Sequence, residues 1–103
     1  MKSKWKRIIN NSGIKSKKIN IEFENQYYFT IIDVHASDKI GLLYSITHKL
    51  AELGLAISFA KIATRIDGVI DAFYVLKNNG QKLRKSEYDF IRSELLTEIK
   101  GLL

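Results

Sequence analysis

Apolar residues alternate with polar ones from the start of the first ordered-looking stretch. In "KINIEF", Ile19, Ile21 and Phe23 point one way and the residues between them the other, the period of two expected of a half-buried strand over residues 19–23. A three-residue polar break, residues 24–26, is short enough for a hairpin loop. "YYFTIIDVHA", residues 27–36, is rich in aromatic and β-branched side chains, which favour a pleated surface. Its even positions Thr30, Ile32, Val34 and Ala36 make one face. Tyr27, Phe29 and Ile31 make the other, which turns polar at Asp33 and His35.

The period then changes to that of a helix. Leu43, Ile46, Leu50 and Leu53 recur at spacings of three, four and three, the stripe of a helix lying on a sheet. Asp38 stands where a carboxylate can accept from the free N–H groups of the first turn, and Gly54 stands at the left-handed stop. "LAISFAKIATRI" and "VIDAFYVLKN" read as two further strands joined at Asp67-Gly68, a two-residue hairpin signal. Ser86 with Asp89 has the spacing of a capping box, and Tyr88, Ile91, Leu95, Ile99 and Leu102 form the stripe of a final helix.

The order is strand, strand, helix, strand, strand, helix. A right-handed crossover through the first helix makes the second and third strands parallel and adjacent or nearly so, and the hairpin adds an antiparallel neighbour. That predicts an α+β fold, a ferredoxin-like sandwich with a four-stranded antiparallel sheet and two helices on one face. The usual version closes with a strand after the second helix. Here the leading strand is placed to fill that edge instead. Its strands are apolar on both faces, so the face without helices should expose aromatic and aliphatic side chains and be covered by a partner.

Composition adds limits. The 103 residues suit one domain, and 46% hydrophobic residues is ordinary for a globular chain. The net charge of +6 is unevenly placed: residues 1–18 hold seven bases and no acid, while the remaining ten bases and eleven acids nearly cancel. Residues 1–18 are therefore read as a solvated basic leader or linker and residues 19–103 as the domain. There is no signal-peptide pattern, no apolar run long enough to cross a membrane, and no cysteine for a disulfide or thiolate site. A cytoplasmic protein with no membrane partner is expected. His35 and His48 have no metal-ligand spacing, and no catalytic constellation, P-loop or dinucleotide fingerprint is present.

Candidate chemistry concentrates in "ASDKIGLL", where a strand gives way to a helix through one glycine. From Thr30 to Val34, then Asp38, Gly41-Leu42-Leu43, "LAELGL", "AKIAT" and Asp71-Ala72-Phe73-Tyr74-Val75, the chain resembles the ACT domains, small-molecule-sensing modules of metabolic enzymes. It is most similar to the last ACT domain of the bifunctional enzymes that uridylylate and deuridylylate a nitrogen-regulatory protein. The resemblance implies a regulatory domain without catalytic groups or cofactor that binds a free amino acid, glutamine first. It also implies pairing as a homodimer or with a neighbouring ACT domain. It places the ligand at Asp38, Lys39, Ile40, Gly41, Leu42 and Leu43, with Ala56 and Ser58 on the next strand. A free helix mouth and a missing Cβ suit such an anion. Two residues depart from the family: Ile40 stands where proline is common, and Ala56 where a polar residue often is. A docking module without ligand is the alternative reading. An RNA-binding module of the same topology is a more distant one, because the echo of its third-strand motif around Phe73 does not pair stacking rings.

Overall fold

The computed structural model describes residues 19–37 and 40–102. The basic leader, residues 1–18, lies outside the described residues, as do Asp38, Lys39 and Leu103. The elements run β1 (Asn20–Asn25), β2 (Thr30–Ala36), α1 (Leu42–Glu52), β3 (Leu55–Arg65), β4 (Gly68–Lys77) and α2 (Tyr88–Lys100), with a single 3-10 turn, Lys85–Glu87, leading into α2.

The four strands form one antiparallel sheet in the order β1-β2-β4-β3. β1 occupies an edge beside β2, with Ile21 opposite Val34 and Phe23 opposite Ile32. β2 and β3 both run antiparallel to β4, so they are parallel to each other with one strand between them. The expected β1–β2 hairpin is present with shifted bounds. Its loop spans residues 26–29, and Tyr27 and Tyr28 stand exposed in it rather than starting the strand.

Alternation sorts the sheet into two faces. Ile21, Ile32, Val34, Phe73 and Val75 point towards the helices, which add Ile46, Leu50, Ile91, Leu95 and Ile99, and all of these are buried. Burial of this apolar surface is the main stabilising term of the fold. α2 presents the stripe expected of it. α1 follows its expected stripe at Ile46 and Leu50, with Leu53 packed against the core just beyond it, but its first position differs: Leu42 is buried, with 4% of its surface exposed, whereas Leu43 is 43% exposed. The buried row is Leu42, Ile46, Leu50, which replaces only the first member of the expected stripe. α1 also starts later than an Asp38 cap implies, with Gly41 as its N-cap residue.

Three further details differ from expectation. The β3–β4 turn is Ile66-Asp67, and Gly68 is the first residue of β4, paired with Arg65. The start of α2 is held by Glu87 rather than by Ser86 and Asp89: the Arg84 N–H donates to Glu87 Oε1 at 2.7 Å. That bond holds the Glu87 carboxyl below its usual value, helped by Lys77 at 2.9 Å. Finally, β3 carries a register shift between Ile57, opposite Val75, and Phe59, opposite Tyr74, so Ser58 is the extra residue of a bulge.

The helices cover one face of β1, β2, β4 and the beginning of β3, and leave the rest of β3 bare. From Ser58 to Arg65 every residue of β3 is exposed. The opposite edge is better protected: Arg92 of α2 donates from Nε to the Ile21 carbonyl at 3.1 Å and lies over the Phe23 ring, which stacks on Tyr88. An uncovered edge strand is a ready template for association.

Candidate functional site

The β2–α1 junction is built around Gly41. Its φ of +87° is a left-handed conformation that side chains with a Cβ avoid, so glycine ends the loop and lets α1 begin. The Gly41 carbonyl accepts the first helical hydrogen bond, from Ser45 N–H at 2.8 Å. Among the described residues no side chain caps the helix, and no acidic residue lies in its first turn. The N–H groups ahead of Ser45 have no partner within the helix, and its positive end is not offset by a carboxylate of α1 itself. Among the described residues a Cβ built on Gly41 would meet nothing within 4 Å. No described residue packs on this glycine, and among the described residues the space over it is open.

Around this backbone the expected site residues behave differently from one another. Ile40 is fully exposed, and with the half-exposed Leu43 and exposed Tyr44 it frames the helix mouth in apolar surface. Leu42 points into the core and can offer only its N–H. Ala56 and Ser58 are not at this mouth. Ala36, where β2 ends, pairs with Val69, and Val69 with Thr64, so the mouth lies level with the far end of β3. At roughly 3.3 Å per residue, Ala56 is about 23 Å away along the sheet, seven register steps from Val69 to its partner Leu76. Ala56 also shares the open face with its partner Leu76, and Ser58 sits in the bulge. One chain brings residues 40–43 together and leaves Ala56 and Ser58 apart.

Asp71 lies on the helix side of β4, between Val34 and Ile62, is 2% exposed, and is engaged in an interaction of its own. His35 lies on the open face, and His48 lies on α1, stacked on Tyr44 and 3.2 Å from Glu52. Among the described residues no group of three or more His, Cys, Asp or Glu could hold a metal ion, and no helix is long and apolar enough to cross a membrane.

The second feature is the open face. Phe29, Phe59 and Tyr74 cluster there: Phe59 and Tyr74 stack with centroids 4.1 Å apart, and Phe29 meets each edge-on at 5.9 Å. Lys61 lies over Tyr74 at 5.5 Å. Phe29 and Tyr74 follow from strand alternation. Phe59 does not, because strict alternation with Leu55 and Ile57 would place it under the helices. The bulge at Ser58 turns it out.

The architecture defines a small ββαββα sandwich with a glycine-ended strand-to-helix junction and one sheet face that no described element covers. Its relatives are more particular. Over 68 residues the chain is 43% identical to a bifunctional uridylyltransferase/uridylyl-removing enzyme of Azospirillum brasilense, a match covering 65% of this chain and 7% of the relative. It is 41% identical over 68 residues to the enzyme of that name in Cereibacter sphaeroides, and 39% over 64 residues to that of Ruegeria pomeroyi, again 7% of each relative. The chain thus corresponds to a short stretch, about 7%, of these curated relatives. No protein-family model matches it, and no solved structure does.

Proposed function

We propose that this chain is a regulatory ACT-type domain that binds a free amino acid at the β2–α1 junction and controls a uridylyltransferase/uridylyl-removing activity. The observation that carries the reading is the similarity of some two thirds of the chain to enzymes of that name, coinciding with a helix mouth whose backbone is left open at Gly41. An α-carboxylate suits the unbonded N–H groups of the first turn, and the exposed Ile40 and Leu43 suit the aliphatic part of a side chain. Glutamine is the favoured ligand, by the nitrogen-sensing role of the enzymes the chain resembles. Leu42 contributes its backbone, and Asp38 and Lys39 complete the loop in sequence. The domain acts by shifting its packing on a second copy or on a neighbouring domain when ligand binds, rather than by supplying catalytic groups.

Titration calorimetry of the chain with glutamine and a panel of other α-amino acids, to millimolar concentration, tests this. Saturable heat with glutamine, lost in Gly41→Asn, is the expected result. Asparagine is chosen because it tolerates the left-handed conformation better than most residues while filling the open space. Absence of heat with every amino acid would leave a module that only docks, and unchanged binding by Gly41→Asn would move the site elsewhere.

A further inference from the structure

The open face of the sheet is divided by charge as well as lined with rings. Three rows of side chains cross it. One runs Glu24, Ile31, Tyr74, Phe59; the next Glu22, Asp33, Ala72, Lys61; the third Asn20, His35, Ile70, Ala63. All the acids lie on β1 and β2, and the bases Lys61 and Arg65 lie on β3. Between them run the aromatic cluster and Ile31, Ile70 and Ala72. The Ser58 bulge produces the basic side, because it moves Lys61 and Arg65 onto the face that carries Phe59.

A face that is acidic along one edge, basic along the other and apolar between complements itself. We propose that two copies of this domain pack sheet to sheet through their open faces, each laying its β1–β2 side over the β3–β4 side of the other. The charges also select the symmetry. A two-fold axis parallel to the strands, midway between the sheets, carries β1 over β3 and β2 over β4 while keeping every row level. Glu22 then faces Lys61 of the second copy, twice per dimer, and Ile31 faces the ring of Tyr74. An in-plane axis across the strands would set acids over acids. Pairing of two bare β3 edges into one continuous sheet would bring Lys61 and Arg65 of both copies together. The favoured arrangement covers the rings and holds the sheets about 10 Å apart, a gap that Glu and Lys side chains span. The acids on this face also disfavour nucleic acid, whose phosphates need a uniformly basic surface.

This proposal rests on the pairing part of the reading above and is independent of ligand binding. Sedimentation of the full chain from 1 to 100 µM, alone and as charge variants, tests it. The parent should reach a concentration-dependent dimer. Glu22→Lys and Lys61→Glu should each weaken it by roughly 10-fold, since each turns two attractive pairs into repulsive ones. An equimolar mixture of the two variants should recover the parent's affinity, because in the mixed dimer both pairs are again opposite in sign. Recovery on mixing also shows that neither variant has merely unfolded. A dimer whose mixed variants regain nothing overturns the face-to-face geometry and leaves pairing intact. A parent that stays monomeric overturns both, whether residues 1–18 or single-stranded RNA then proves to cover the face.

Discussion

Gly68 lies against the carbonyl of Ala36 so closely that a Cβ on the glycine would overlap the Ala36 oxygen and press on its carbonyl carbon. Here, and not at the helix mouth, close packing of backbone on backbone requires glycine. The contact sets the end of β2 against the first residue of β4, just before the chain leaves for α1.

Gly68→Ala should therefore destabilise the fold by about 2–4 kcal/mol, combining a backbone clash with a φ of +141° that alanine rarely adopts. Gly41→Ala meets only open space and carries the left-handed penalty alone, about 1–2 kcal/mol. Urea unfolding of the two variants checks the order. Equal losses would show that the Ala36 carbonyl yields more easily than a strand end should.

The faces of α1 give a second contrast. Leu42→Ala empties a buried position and should cost about 2–5 kcal/mol, whereas Leu43→Ala removes a half-exposed side chain and should cost less than about 1 kcal/mol. Thermal melts of both variants decide it, and a larger loss at Leu43 would restore the stripe read from spacing alone.

That stripe shows where legibility in the sequence stopped. Leu42 and Leu43 stand four and three residues before Ile46, so spacing alone does not choose which of them heads the stripe. Gly41 is the N-cap residue, and adjacent helical positions lie about 100° apart, so only one of the two leucines can face the sheet. The strands were easier. Ile21, Ile32, Val34, Phe73 and Val75 are buried as alternation requires, and the leading strand fills the sheet edge foreseen for it. Beyond Ser58 alternation fails, because a bulge inverts the faces without a mark in composition, so Phe59 and Lys61 on the open face could not be read. Ala56 and Ser58 follow Gly41 by fewer than twenty residues, yet α1 carries them to the other end of the sheet.

A third prediction concerns the segment between β4 and α2. Thr30 is fully buried, and its Oγ1 accepts from the Leu83 N–H at 3.1 Å, fixing residues 81–84 against the start of β2. Lys82 adds bonds to Asn25 Oδ1 and the Gln26 carbonyl at the surface. Thr30→Val keeps the shape but leaves a buried N–H without its acceptor, which should cost about 1–3 kcal/mol. Lys82→Ala, losing exposed bonds, should cost under about 1 kcal/mol. Amide hydrogen exchange at Leu83 provides the site-specific readout: protection should fall sharply in Thr30→Val and stay near the parent's in Lys82→Ala. Unchanged protection in Thr30→Val would mean that another acceptor serves this N–H.

The acids of the open face make the last prediction one of pH. Asp33 is pushed above its ordinary value of 3.8, first by partial burial, then by a hydrogen bond with the Glu24 side chain and by the charges of Glu24 and Glu22, with His35 pulling the other way. Lys61 stands in the same row but two strands away, beyond Ala72. Because the folded state holds this proton more tightly than the unfolded chain, the Asp33 contribution to stability is full below about pH 3.8 and is lost as pH rises through the higher folded value. At neutral pH the ionised carboxylate is a net cost to the folded monomer. Asp33→Asn removes that charge and can still donate to Glu24, so it should melt at a higher temperature than the parent at pH 7. The advantage should shrink as pH falls and vanish below about 3.8. Melts at low micromolar concentration, where association is least, keep a second copy's Lys61 out of the comparison. A variant that loses stability at pH 7, or whose advantage is the same at pH 3.5 as at pH 7, would show that the Glu22, Glu24 and Asp33 group is held together by interactions stronger than its repulsion.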